Sequence, residues 1–264
     1  MTLEEYFALS HAPFPKSATD ASLLKHPGLD EVQDRLRFGL TRDTITALFA
    51  ESGCGKSTAL ALFSKSLDAA NYQILATSLT TLSPFSFIAH LVATLGLPGR
   101  RFKGETAAAL IAHFRSQPKR TVILVDEAHL LPDASLEDLR LLTADDLDRR
   151  SPFALVLVGQ PILRDRIAEP RHYALWQRIG VRIRLRPLTE TEVGPFLDRH
   201  MRAAGNKKVL FEADSIAVIF HHSRGIPRLI QNIALQAMLA AMAAGRKTID
   251  MHTVEQAVVD MEST

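Results

Sequence analysis

The stretch that most constrains this chain runs from Ala50 to Thr58 and contains the letters Ala-Glu-Ser-Gly-Cys-Gly-Lys-Ser-Thr. It follows an apolar run at 44–49 and precedes a run at 59–63 whose residues favour a helix. Strand, small-residue loop and helix in this order form the context of a phosphate-binding loop. Backbone N–H groups of such a loop, with the positive end of the following helix dipole, bind anionic phosphates.

The residue types in this loop suit a nucleoside triphosphate. Gly53 and Gly55 let the backbone turn, and Lys56 has the length to reach the β- and γ-phosphates. The Ser57 hydroxyl is suited to hold Mg²⁺. Ala50 stands where the usual pattern has glycine, and alanine suffices if the backbone there keeps ordinary dihedral angles. The alternative, a glycine-containing turn before a helix, is disfavoured by Lys-Ser at this spacing. We expect ATP to be bound by Ser52, Gly53, Cys54, Gly55, Lys56, Ser57 and Thr58.

A second motif comes at the end of a later apolar run. Residues 121–125 predict a buried parallel strand, and Asp126 and Glu127 follow it directly. Ligands of open α/β sheets bind at this carboxyl edge. We expect Asp126 to hold Mg²⁺ through water, and Glu127 to orient and deprotonate the attacking water. The alternative is a solvated acidic start of a helix.

Apolar periodicity divides the chain into an α/β part and a helical part. Strands alternate with helices as far as Pro187, and the segment 181–186 alternates apolar residues with arginine, which predicts an edge strand. A Ser135 capping box predicts another helix within this part. After Pro187 the pattern is helical throughout. We therefore predict a nucleotide-binding α/β core at residues 1–187, including a short N-terminal segment, and an all-helical lid at 188–264.

Composition excludes several classes of protein. With 47% hydrophobic and 23% charged residues, the 264-residue chain is globular. A net charge of +2 does not by itself indicate a nucleic-acid-binding protein. The single cysteine, Cys54, excludes an intramolecular disulfide. The acidic N-terminus is unlike a signal peptide and no apolar run is long enough to span a membrane, so we expect a cytoplasmic protein.

These motifs, in this order, resemble the AAA+ ATPases of the ExeA/GspA-like branch, which includes transposition ATPases of the TnsC, TniB and MuB kind. The resemblance covers nearly the whole chain and implies a P-loop NTPase core with a parallel sheet flanked by helices, followed by a small helical lid. The run Asp126–His129 also matches DEAH helicases, but two helicase domains need about twice the sheet material present here. The resemblance rests on the segments 6–7, 13–14, 50–58, 126–131, 136–142, 158–161, 177–179 and 225–228.

The resemblance implies further site residues. Gln160, after the apolar run 153–158, is similar to a first sensor of the γ-phosphate, although it could simply cap the next helix. Arg228 is similar to a second sensor that links the lid to the nucleotide. Pro13, Phe14 and Pro227 are expected beside the adenine.

The resemblance also implies that the protein assembles with copies of itself, as a ring or a helical filament. Arg178 is similar to an arginine that one subunit supplies to the ATP of its neighbour, where it stabilises charge in the transition state. Arg171 and Arg182 are alternatives for the same role, and a surface salt bridge is a further alternative for Arg178.

Two hypotheses about function remain open. In the first, ATP assembles the protein on double-stranded DNA, where it marks a target and recruits a transposase together with an adaptor or target-selection protein. A basic loop at 99–104, with Arg100, Arg101 and Lys103, would contact DNA phosphates without sequence preference, unless it is an ordinary solvated loop. In the second, the protein is a secretion or pilus-assembly ATPase. Those relatives continue into a membrane span, so we favour the first. A nucleotide switch that hydrolyses little is disfavoured by the intact Asp126-Glu127 pair.

Overall fold

The structure is a computed structural model that describes residues 1–15, 27–42, 44–144 and 151–263. The chain divides into two compact units. The α/β unit comprises Pro27–Ala50 and Lys56–Leu185, within the described ranges. The helical unit comprises the described parts of Met1–His26, Glu51–Gly55 and Arg186–Thr264.

The helices of the described residues follow one another as α1 (Leu3–Phe7), α2 (Pro27–Thr41), α3 (Lys56–Ser66), α4 (Pro84–Thr94), α5 (Lys103–Ser116), α6 (Asp133–Leu142), α7 (Pro161–Ile167), α8 (Tyr173–Arg178), α9 (Glu190–Ala203), α10 (Ala213–Ser223), α11 (Pro227–Ala243) and α12 (Met251–Glu262). Several begin where sequence signals predict. Ser83 caps α4, with Pro84 as its first residue, and the capping box at Thr189 begins α9.

A five-stranded sheet with parallel neighbours forms the centre of the α/β unit. Its strands are β1 (Ile45–Phe49), β2 (Tyr72–Thr77), β3 (Arg120–Val125), β4 (Ala154–Gly159) and β5 (Ile179–Arg184). They lie in the order β2-β3-β4-β1-β5. The central strands β1 and β4 are fully buried and apolar apart from Thr46, because helices cover both faces of a parallel sheet. In β5, buried and exposed residues alternate and the exposed positions include arginine, which confirms the predicted edge strand.

The core of the α/β unit lies between the sheet and the helices that pack on it. Side chains of α4 and α5, such as Phe87 and Leu110, join strand residues such as Ile123 and Leu155 in one buried cluster. Burying an aliphatic or aromatic side chain of this size contributes about 1.5–3 kcal/mol. This packing fixes the strands whose carboxyl ends carry the acidic motif and Gln160.

The helical unit has its own apolar core, formed by α1 and α9–α12. Tyr6 and Phe7 of α1 belong to that core. The Tyr6 hydroxyl donates to the Arg246 carbonyl at 2.9 Å, and the Asn206 amide donates to the Phe7 carbonyl at 2.6 Å. The prediction that placed the N-terminal segment with residues 1–187 is therefore wrong for residues 1–15, which pack within the helical unit.

Two other local predictions need correction. Helix α5 begins at Lys103, with Phe102 as its N-cap residue, so Lys103 lies on a helix and outside the predicted basic loop. Helix α6 begins at Asp133, so Ser135 lies inside the helix and does not cap it. Among the described residues, no helix has the length and apolar character needed to cross a membrane.

Candidate nucleotide-binding site

The loop after β1 has the backbone that phosphate binding requires. Gly53 and Gly55 have φ angles of 82° and 99°, in the region that favours glycine. Ala50 is not one of the described non-glycine residues that have a positive φ. Its backbone therefore does not require glycine, and alanine is adequate at the position where the usual pattern has glycine. Its amide donates to the Gly159 carbonyl at 3.1 Å, which fixes the start of the loop to the end of β4.

The first residues of α3 present the predicted phosphate and metal groups. Lys56 is buried, and its Nζ donates to the Ala50 carbonyl at 3.2 Å. Ser57 is exposed, and its hydroxyl donates to Oδ2 of Asp126 at 3.3 Å. Oδ1 of Asp126 accepts the amide of Glu127 at 2.9 Å, which orients the carboxylate. A hydroxyl and a carboxylate oxygen this close are hard donors that suit Mg²⁺, which completes its shell with water and phosphate oxygens.

Glu127 occupies an unusual conformation. Its φ and ψ are 53° and 33°, left-handed values that are uncommon for a residue other than glycine. Thr80 supports it by donating from its hydroxyl to the Glu127 carbonyl at 3.1 Å. Oε2 of Glu127 lies 3.4 Å from Nδ1 of His129. His129 was not predicted as a site residue, although it lies within the quoted motif, because its spacing gave no sign that the ring turns back toward Glu127.

A cluster of charged side chains follows the acidic motif. The Arg166 guanidinium donates to the carbonyls of His129 and Leu131 at 2.6 and 2.8 Å, and it also pairs with Asp133. This hydrogen bond lowers the pKa of the Asp133 carboxyl from its ordinary value of 3.8. Nε2 of His172 lies 3.2 Å from the same carboxylate. Sequence reasoning missed this cluster, because 33 residues separate its principal partners.

Gln160 lies where the predicted first sensor should be, directly after β4. It is the N-cap residue of α7, but its side chain makes no capping hydrogen bond. The alternative explanation, that Gln160 is present only to cap the helix, therefore loses its support. The role of its amide toward a γ-phosphate stays a prediction.

The three candidate trans-acting arginines lie on or near α8. Arg171 is 58% exposed and pairs with Asp133 and Glu169, at 2.8 Å from each. Arg182 stacks its guanidinium 3.8 Å from the centre of the Trp176 ring. Arg178 is the last residue of α8 and is half-buried. Its role toward a neighbouring subunit stays a prediction.

The helical unit includes the glycine-rich part of the phosphate loop. The Arg228 amide donates to the Gly53 carbonyl at 3.3 Å, and a Cβ at Gly53 would lie 2.9 Å from Cβ of Arg228 and 3.0 Å from Ile226. Only glycine permits this approach. Pro227 occupies the first turn of α11, where its missing N–H is not needed. The roles of Arg228 and Pro227 toward a nucleotide stay predictions.

Phe14 packs in the helical unit against a buried histidine. The rings of Phe14 and His200 are 5.2 Å apart between centroids, and Phe196 contacts the same imidazole at 4.5 Å. Burial lowers the pKa of His200 to about 4, although a hydrogen bond to the Pro13 backbone acts in the opposite direction. A neutral His200 therefore anchors the Pro13-Phe14 segment to α9. The contact of Phe14 with adenine stays a prediction.

The residues predicted to bind DNA differ in their surroundings. Arg100 and Arg101 are exposed, and the Arg101 guanidinium lies 5.5 Å from the centre of the Phe102 ring, which is 59% exposed. Lys103 instead pairs with Asp138 on α6 at 2.6 Å. The site therefore offers two exposed arginines and an aromatic ring, while Lys103 is partly neutralised within the chain.

A parallel sheet with a phosphate loop after β1 and an acidic pair after β3 is typical of a P-loop NTPase. A family model described as an AAA domain matches residues 40–167. The chain is also similar to general secretion pathway protein A of Aeromonas hydrophila, with 40% identity over 132 residues. That match covers 50% of this chain and 24% of the Aeromonas protein, so the chain spans about a quarter of its curated relative. Residues 40–167 are thus similar to the AAA domain of ATPases, and the chain resembles the ExeA/GspA-like branch of AAA+ ATPases.

Solved structures show the same fold. Drosophila ORC bound to DNA matches with a TM-score of 0.70 and 16% identity, over 99% of this chain and 66% of that chain. Cdc6p from Pyrobaculum aerophilum matches with a TM-score of 0.65 and 18% identity, over 93% and 68%. The Thermotoga maritima RuvB Holliday junction branch migration motor matches with a TM-score of 0.58 and 22% identity, over 86% and 67%. At these identities the likeness establishes the fold alone.

Proposed function

We propose that this protein hydrolyses MgATP at a site that a neighbouring copy completes, and that it uses this cycle to assemble on duplex DNA. The observation that carries the catalytic part is the hydrogen bond of Ser57 to Asp126, directly beside Glu127. It brings a hydroxyl and a carboxylate suited to Mg²⁺, and a base for water, to one edge of the sheet.

Each group in this arrangement has a role in hydrolysis. Mg²⁺ bound with the nucleotide neutralises charge on the β- and γ-phosphates. Lys56 adds a positive charge to the same phosphates, and its ammonium exchanges its bond to the Ala50 carbonyl for phosphate oxygens. Glu127 accepts the proton of the attacking water, and Gln160 donates from its amide to the γ-phosphate.

Arg178 is the residue that we assign to the ATP of the neighbouring copy. Its place as the last residue of α8, within the segment 177–179 that carries the resemblance, supports this assignment, and Arg171 and Arg182 are the alternatives for the same role. An arginine supplied in trans stabilises charge on the transferred phosphoryl group and typically accelerates hydrolysis about 10³- to 10⁵-fold. Hydrolysis then depends on contact between copies, and head-to-tail contacts of this kind generate rings or helical filaments.

DNA binding is supported by the exposed segment Arg100-Arg101-Phe102. Its two guanidinium groups suit DNA phosphates, and the exposed Phe102 ring beside Arg101 suits stacking contacts with nucleic acid. The solved structure of Drosophila ORC, which has the same fold, is bound to DNA. Lys103 contributes less than the sequence predicts, since its ammonium already pairs with Asp138.

The biological setting that we propose is transposition, in which ATP-loaded assemblies mark target DNA and recruit a transposase through an adaptor or target-selection protein. A specific observation favours a second candidate. The 40% identity to general secretion pathway protein A supports an ATPase of secretion or pilus assembly. The two candidates differ in whether duplex DNA is part of the working assembly.

Electron microscopy with ATP, with and without duplex DNA, separates these candidates, and steady-state ATPase assays accompany it. We expect rings or filaments that depend on DNA, and hydrolysis that DNA stimulates. The control is Lys56→Ala, which should neither bind ATP nor assemble. Assembly and hydrolysis that are the same with and without DNA would reject the DNA-based function and support the secretion candidate.

A further inference from the structure

We propose that Arg166 is a positioning residue for ATP hydrolysis, which holds the turn after β3 so that Glu127 faces the attacking water. Arg166 touches neither the phosphate loop nor the acidic pair in the described contacts. It acts through the backbone of the segment that follows Glu127. This inference rests on the role of Glu127 in the proposed function.

Both terminal nitrogens of the Arg166 guanidinium donate to one segment, residues 129–133. One terminal nitrogen donates to the His129 carbonyl at 2.6 Å. The other donates to the Leu131 carbonyl at 2.8 Å and to Asp133. The side chain is only 21% exposed, so these bonds are partly shielded from water. A planar guanidinium can make such a set of directed bonds, whereas an ammonium lacks this fixed geometry.

The segment that Arg166 holds is the one that sets the Glu127 conformation. Glu127 has left-handed dihedral angles, which persist only when the surrounding structure fixes them. A single 3₁₀ turn, Ala128–Leu130, follows, and so short a turn has little internal stability. Arg166 links the carbonyl of His129, within this turn, and the carbonyl of Leu131, directly after it, to α7.

A second contact shows why α7 is the appropriate anchor. A Cβ at Gly159 would lie 3.2 Å from the His129 backbone nitrogen, so the end of β4 and the turn approach closely. Gln160 follows Gly159 and begins α7 as its N-cap residue. Arg166 therefore fixes Glu127 relative to the element that carries Gln160, and both residues must face the same γ-phosphate in the proposed mechanism.

Asp133 completes this arrangement by keeping the guanidinium in place. Its carboxylate contacts the side chains of Arg166, Arg171 and His172. The Arg171 pair is largely solvent-exposed, at 58% for the arginine, and pairs of that kind contribute little. Arg166 is the more shielded cation of the two, and it alone also holds the turn.

The test measures kcat and KM for ATP hydrolysis, the Kd for a fluorescent ATP analogue, and thermal unfolding. The variants are Arg166→Ala, Arg166→Lys and Asp133→Asn. Arg164→Ala is the matched control, since it removes the same charge from an exposed position on the same helix. Glu127→Gln, the reference for a lost base, should abolish turnover.

We expect Arg166→Ala to lower kcat about 10- to 100-fold, the effect of misplacing a reacting group by about 1 Å. KM and the analogue Kd should change by less than about threefold, because the phosphate loop is untouched. Arg166→Lys should recover part of the loss, and Arg164→Ala should match the unaltered protein. If Arg166→Ala does not fold, Arg166→Lys and Asp133→Asn test the proposal instead. Each should lower kcat while the Kd for the nucleotide analogue changes by less than about threefold.

Unchanged kcat in the folded Arg166 variants would overturn the inference, as would parallel losses of kcat and nucleotide affinity. A fully active Glu127→Gln would instead remove the base from the proposed function, which distinguishes the two failures.

Discussion

His200 makes the stability of the helical unit depend on pH. The residue is 6% exposed, and burial lowers its pKa from 6.5 to about 4. The unfolded chain takes up this proton near pH 6.5, whereas the folded chain accepts it only near pH 4. The contribution of neutral His200 is therefore complete above pH 6.5 and is lost as the pH falls toward 4. The loss corresponds to about 2 kcal/mol between pH 8 and pH 5, at about 1.4 kcal/mol for each pH unit between the two pKa values.

The assay is urea unfolding, followed by far-ultraviolet circular dichroism at pH 8, 7, 6 and 5. His200→Gln keeps a donor of similar reach but cannot titrate, so its unfolding free energy should decrease by about 2 kcal/mol less over this range. The control His221→Gln lies on an exposed part of α10 and should keep the dependence of the unaltered protein. Glu192, whose pKa Arg186 lowers to about 2, loses its contribution only below pH 4.5 and does not interfere. Equal pH dependence in the His200 variant and the unaltered protein would refute the argument that a neutral buried imidazole holds the Pro13-Phe14 segment.

Three further predictions concern catalysis, DNA and the turn before α11. Glu127→Gln should bind ATP but hydrolyse it at least about 100-fold more slowly, and its assemblies should accumulate. Nucleotide-retention and sedimentation assays would show this. Normal turnover would instead show that Glu127 is not the base. Replacing Arg100 and Arg101 with alanine should weaken DNA binding and reduce the slope of log affinity against log salt concentration by about one unit per lost phosphate contact. Adding Lys103→Ala should have a smaller effect. Titrations of DNA binding at several salt concentrations would show both results. An equal effect of all three residues would contradict the ion pair of Lys103. Gly225→Ala should destabilise the protein by more than about 2 kcal/mol in urea unfolding, because its Cβ would lie 1.9 Å from a backbone oxygen at a φ of 74°; unchanged stability would contradict this turn geometry.

The sequence predicted where the short motifs lie relative to the strands. The phosphate loop and the Asp126-Glu127 pair each follow a buried apolar strand, so their positions at the sheet edge follow from strand order alone. The fold brings together Ser57 and Asp126, the two residues that were predicted to hold Mg²⁺, and their side chains form a hydrogen bond.

The parts that the sequence did not predict depend on contacts between distant segments. Tyr6 packs in the helical unit through partners near residue 246, which no local pattern reveals. Arg166 and Asp133 are each unremarkable surface-type residues until the fold brings them together. Lys103 was predicted in a basic loop at 99–104, yet α5 begins at Lys103 and includes Gly104. Sequence patterns thus predict which residues meet at the candidate site, whereas the supporting contacts require the fold.

The claim that hydrolysis is completed by a neighbouring copy is tested most directly by mixing two inactive variants. Glu127→Gln retains Arg178 but lacks the base, and Arg178→Ala retains the base but lacks the supplied arginine. Both bind ATP in this account, so they should assemble together. An equal mixture should recover about a quarter of the unaltered ATPase activity, since one in about four random contacts pairs an intact site with an intact arginine. Full activity of Arg178→Ala by itself, or no recovery in the mixture, would contradict the account.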